Sequence, residues 1–137
     1  MFDGINVLAV LAAAGSAFLL GGFWYSKALF GLAWGRAAGL LGPNEAPKED
    51  HRHPARVFGT SFVFALIGAF AFAHYLGPRP DLAHALRGGA IVGGAFVATC
   101  FGINYQFADR KFVLWLIDGG YHLAQFLLFG VVLGLWH

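Results

Sequence analysis

Three polar side chains stand in line within the last apolar stretch of the chain: Asp118, His122 and Gln125. Residues three or four apart on an α-helix share a face, so a carboxyl, an imidazole and an amide would form one stripe. Asp118 is the only formal charge between Phe112 and His137. Such groups are costly in an apolar medium unless they meet protein or water. Two kinds of chemistry are open to them: proton exchange between acid and imidazole, or the holding of a polar substrate. The plainer alternative is a structural cluster whose members satisfy one another and fix the register of the helices. Asp118 lies about 9 Å into its helix at a rise of 1.5 Å per residue. Tyr25, Asn104, Thr60 and Ser61 fall at about that depth or shallower, so one polar layer would draw on every apolar run.

The elements that must position this layer are legible from composition. Of the 137 residues 58% are hydrophobic and only 12% charged, whereas soluble domains carry about 25% charged residues. Mean hydropathy is +0.66. Four runs are long enough to span a bilayer, which takes about 20 apolar residues: about 4–26, 57–77, 88–108 and 112–136. In lipid each must satisfy its own backbone, so each is expected to be helical, and no strand-like alternation argues for a barrel. The expected fold is all-α: an integral membrane four-helix bundle with an interfacial helix after the first span. The N-terminal run does not read as a signal peptide, because Asp3 stands where positive charge is expected and the run continues through Phe23 and Trp24.

Every span carries a ladder of small residues. These are Ala13, Ala17 and Gly21 in the first, Ala65 and Ala69 in the second, Gly94, Ala98 and Gly102 in the third, and Gly130 and Gly134 in the fourth. Such ladders let helix backbones approach closely where no hydrophobic effect drives association. The last pair continues the Asp118–His122 line, so the polar and close-packing stripes share one inward face.

Residues 28–41 are apolar and helix-compatible, but joined to the first span they would give a helix of about 55 Å, too long for a core of about 30 Å. A bend near Ser26–Ala28 and an interfacial helix are expected, with Trp34 at headgroup depth. Residues 42–56 form the one polar loop. Leu82–Arg87 reads as a short helical lead-in, and Asp109-Arg110-Lys111 as a minimal hairpin. The side holding the long loop and the hairpin carries Lys27, Arg36, Lys48, Arg52, Arg56, Arg110 and Lys111; the other side has only Arg79 and Arg87. That bias makes the first side cytoplasmic and puts both termini in the periplasm.

At Trp24-Tyr25-Ser26, Leu29-Phe30-Gly31, Trp34 and Tyr121-His122 the chain resembles domain-of-unknown-function family 1761, small four-span bacterial membrane proteins. The family often carries a proline soon after its Trp-Tyr-Ser group, where this chain has Lys27-Ala28. The resemblance spans nearly the whole sequence. It implies a four-helix inner-membrane fold and no established activity.

Other candidates have plainer explanations. His51-Arg52-His53 lacks the three or four ligands a zinc site needs. His74, His84 and His137 share the outer side without metal spacing. Trp24, Tyr25, Trp34, Tyr105, Trp115 and Trp136 fit an aromatic belt at the membrane boundaries, although a pocket for a quinone or lipid is a further possibility. Cys100 is the single cysteine, so no internal disulfide can form. Nucleotide, nucleophile and metalloprotease motifs are absent. A net charge of +2 offers nucleic acid little. No cofactor or metal is expected, and the partners expected are the bilayer and further copies of the chain or a larger membrane complex. The reading is of a non-enzymatic membrane component that self-associates or joins such a complex. The alternatives are a small oligomeric transporter or channel using the Asp118–His122 pair, and a protein that binds a cofactor, lipid or quinone.

Overall fold

A computed structural model describes residues 4–137; Asp3 lies outside the described residues. The chain forms α1 (Val7–Trp24), α2 (Gly31–Ala37), α3 (Pro54–Leu76), α4 (Leu82–Phe107) and α5 (Phe112–Leu135). All but α2 are long and apolar enough to cross a membrane. Among the described residues there is no strand, only an isolated bridge between Leu41 and Pro47 beside a 3₁₀ turn at Pro43–Glu45. The all-α membrane bundle expected from the sequence is the fold observed.

Local chemistry starts each helix where it starts. The Asn6 side chain accepts from the Ala9 N–H at 3.2 Å and opens α1. His53 Nδ1 accepts from Ala55 N–H at 3.1 Å ahead of Pro54, whose missing N–H is harmless in a first turn. The Asp81 carboxylate accepts from His84 N–H at 2.8 Å and opens α4. Backbone hydrogen bonds from Asp81 onward carry this helix without a break, so the expected lead-in and third span are a single element. After α1 the chain turns through residues 25–30 and enters α2, seven residues long, where the sequence suggested a longer interfacial helix.

The dry core lies at the end of the bundle away from the polar loop. Ala9, Ala13 and Ala17 of α1 meet Ala69 and Ala73 of α3, with Phe72, Phe129 and Leu133 filling the centre. α4 and α5 touch backbone to backbone. A Cβ at Gly89 would lie 2.5 Å from the Phe126 carbonyl oxygen, and one at Gly93 2.9 Å from that of His122. Gly130 approaches the Ala85 carbonyl as closely, at 2.7 Å. These positions exclude any side chain, and the contact they allow supplies the dispersion energy that holds helices together in lipid.

Between its two α-helical ends α4 is π-helical over Ile91–Ala98. A π turn inserts a residue relative to the α repeat and so rotates everything beyond it. Gly89, Gly93, Ala98, Gly102 and Tyr105 all meet α5 in consequence. In an unbroken α-helix, at about 100° per residue, Tyr105 would point about 160° from Gly89 and Asn104 about 60°, nearer the shared face.

Candidate functional site

The loop end of the bundle is built around the carboxyl group of Asp118, which is only 8% exposed. Tyr25, just past the end of α1, donates its hydroxyl to Oδ1 at 2.7 Å. Tyr105 of α4 donates to Oδ2 in a short hydrogen bond. A carboxylate can only accept and each phenol has one proton to give, so the two tyrosines match the two oxygens. Hydrogen bonds to a charged acceptor are stronger than neutral ones, and these two tie three elements together.

Around this group the aromatic residues turn inward. Trp24 Nε1 donates to the Ile117 carbonyl at 3.0 Å, Trp115 Nε1 to the Ala98 carbonyl at 2.8 Å, and the Tyr121 hydroxyl to the Ala17 carbonyl at 3.0 Å. Trp24, Tyr25, Tyr105 and Trp115, placed in a boundary belt by the sequence reading, are bundle contacts instead. Small residues on the facing helices make room for them: a Cβ at Gly120 would lie 3.3 Å from the Trp24 ring, and one at Gly102 3.2 Å from Trp115 Nε1. Trp34 packs edge-on to Tyr25 at 5.5 Å, and its indole N–H is buried with no partner among the described residues.

His122 is one turn beyond Asp118 yet bonded elsewhere. Its Nδ1 lies 2.7 Å from Gln125 Oε1, and its ring stacks on Phe101 at 4.8 Å. Gln125 is 7% exposed. The expected stripe therefore divides into two polar groups: Asp118 with two tyrosines, and His122 with Gln125. Asn104 is exposed and its side chain makes no hydrogen bond among the described residues. The π turns of α4 bring its neighbour Tyr105 to Asp118, a substitution that 3.6-residue periodicity could not reveal. Thr60 and Ser61 face outward on α3, and the Ser61 hydroxyl donates to its own helix at the Val57 carbonyl.

A cleft of about 690 Å³ opens sideways between α1, α3 and α5. Its body is apolar and largely aromatic, with Phe18, Phe58, Phe64 and Phe126 among its walls. Its polar lining is Tyr25, Ser61, Tyr121, His122 and Gln125. With Gln125 Oε1 accepting from Nδ1, the Nε2 of a neutral His122 is an acceptor, and the Gln125 amide N–H groups are donors. Neither has a hydrogen-bond partner among the described residues. A donor and an acceptor thus sit side by side in a greasy cleft of a size typical for small-ligand sites.

A second recess, about 270 Å³, lies beside the hairpin and is lined by Tyr105, Gln106, Arg110, Lys111 and Trp115 with Gly102 and Phe112. The loop histidines serve local structure, His53 as the α3 cap and His51 3.8 Å from Glu49. Among the described residues no three His, Cys, Asp or Glu side chains gather as metal ligands.

A family model described as Protein of unknown function (DUF1761) matches residues 8–134. No curated protein and no solved structure matches the chain.

Proposed function

The chain belongs to this DUF1761 family, and from that starting point we propose that it is a non-enzymatic membrane component that holds a small amphipathic molecule drawn from the bilayer. The single observation that carries this reading is the lateral cleft with His122 and Gln125 at its polar end. The occupant suited to it has an apolar tail or ring system and a compact, hydrogen-bonding head such as a carbonyl or carboxyl group. The tail lies along Phe18, Phe58, Phe64 and Phe126, and the head takes a hydrogen bond from the Gln125 amide. The exposed rings of Phe58 and Phe64 in its lining, on a helix long and apolar enough to cross a membrane, support entry from lipid rather than from water. The host membrane in this reading is the bacterial inner membrane. The excess of Lys and Arg on the loop side supports a cytoplasmic loop end and periplasmic termini.

The test is to purify the protein in mild detergent and identify retained organic-soluble molecules by mass spectrometry. One amphipathic species is expected near one per chain, and Ser61→Trp, which fills the cleft from α3, should lose it while the protein still melts cooperatively. Recovery of only bulk phospholipid, in equal amounts from both proteins, would overturn the reading.

Self-association is a second proposal, on narrower ground. The glycines of α4 and of the end of α5 are filled by contacts within the chain, but Gly15, Gly22 and Gly59 have open space above them. Crosslinked dimers in native membranes that disappear with Gly15→Leu would support a helix contact there. A chain that is monomeric at all densities would reject it.

A further inference from the structure

We propose that Tyr105, Asp118 and Tyr25 form a proton relay joining the recess beside the basic hairpin to the lateral cleft. The geometry is continuous. Tyr105 lines the recess and hydrogen-bonds Asp118 Oδ2; Tyr25 hydrogen-bonds Oδ1 at 2.7 Å and lines the cleft. One carboxyl group therefore touches both cavities through one phenol each, and no other chain of hydrogen bonds among the described side chains links them. A purely structural carboxylate could be satisfied by backbone N–H groups or by one side. This one is held by two hydroxyls, groups that both give and accept protons.

The transfer balances without electrons. The Tyr105 oxygen takes a proton from water in the recess and releases its own to Asp118 Oδ2. A half-turn of the carboxyl group brings that proton to face Tyr25. Tyr25 turns its hydroxyl toward the cleft, gives its proton to a base there, and recovers one from Asp118. One proton enters, one leaves, and all three residues return to their starting state. The reverse route carries a proton out.

The charged and titratable groups facing the relay are few. Arg110 and Lys111 border the recess from the hairpin, Tyr121 packs against Tyr25 at 5.4 Å, and His122 stands one turn along α5. The two cations favour water and anions at the outer mouth. His122, held through Nδ1, leaves Nε2 as a base on the cleft side. The inference rests on the reading of the cleft as a ligand site. It narrows that ligand to one whose head gains or loses a proton, such as a lipophilic weak acid.

A tethered probe separates the two ideas, because it needs no native ligand. In a Cys100→Ala background, Ser61→Cys is labelled with a pH-sensitive fluorophore lying in the cleft, and the protein is placed in lipid nanodiscs. After a rapid pH step the fluorophore should respond at least tenfold more slowly in Tyr105→Phe and in Asp118→Asn. His84→Ala, at the opposite end of α4 and lining neither cavity, should respond at the parent rate. Tyr105→Phe keeps the ring and its packing, and melting curves check that each variant is folded. Equal rates in Tyr105→Phe and parent would overturn the relay and leave the ligand reading standing.

Discussion

The two ends of the bundle are held together by opposite means. At the far end, Gly89, Gly93, Gly130 and Gly134 bring α4 and α5 into backbone contact, and alanines do the same for α1 and α3. At the loop end the helices stand apart, joined by long aromatic side chains that reach a carbonyl or carboxyl group on a neighbour. Small residues give close contact and leave no cavity. Hydrogen-bonded aromatics bridge α1 and α4 to α5, and the cleft lies beside these bridges, between α3 and α5. One helix, α5, takes part in both arrangements and changes from one to the other near His122.

The sharpest way to break this contrast is to add one carbon atom. Gly89→Ala puts a Cβ against the Phe126 carbonyl oxygen and carbon, both backbone atoms that cannot step aside. It should destabilise the protein by about 3 kcal/mol, the upper part of the usual range for overpacking. Gly68→Ala, whose Cβ would meet only the Phe129 ring at 3.9 Å beside the cleft, should stay within about 0.5 kcal/mol. Thermal melting in one detergent compares them, and equal effects would mean the cleft side is as tightly packed as the far end. Next in size is Tyr121→Phe, which removes the 3.0 Å hydrogen bond to the Ala17 carbonyl and should cost about 1 kcal/mol. No change in melting would show that this bridge between α1 and α5 contributes nothing net.

The smallest effect belongs to the polar loop, outside both ends. The Arg52 guanidinium, together with its backbone N–H, hydrogen-bonds the Asp50 carboxylate and holds its pKa down at about 2. A folded value below the unfolded one, about 3.9, contributes stability at pH above the unfolded pKa. That contribution is lost as pH falls toward about 2. The pair is fully solvated, so the energy is slight. Arg52→Ala should raise the Asp50 midpoint toward the ordinary range in a carboxyl NMR titration, with no change in melting at neutral pH. An unmoved midpoint would dissociate the pair.

Much of this architecture was legible because lipid imposes simple rules. Apolar length marked four long helices, but the closest backbone approach of α4 to α5 falls at Gly89 and Gly93, beside Gly94 of the expected ladder. The burial of Asp118 followed from the cost of leaving a carboxyl in hydrocarbon. Its partners did not follow. Tyr25 was in view, but Tyr105 read as a boundary aromatic and Asn104 as its polar neighbour in the layer, because a constant 3.6-residue repeat puts the wrong one of the two toward α5. The cleft was equally hidden, since it depends on where helices fail to touch. His122 was expected to pair with Asp118 on spacing alone, yet the Gln125 amide lies three residues away on the same stripe and takes its Nδ1.

The π turns in α4 make the winding of a helix a chemical variable. Winding Ile91–Ala98 at the ordinary α repeat with every residue kept would swing everything beyond it by about 100°. Asn104 would then arrive where Tyr105 stands, an amide in place of a phenol, with every remaining side chain unchanged. The identity of the group meeting Asp118 is thus encoded about two to four turns upstream, in the number of residues per turn rather than in their kind.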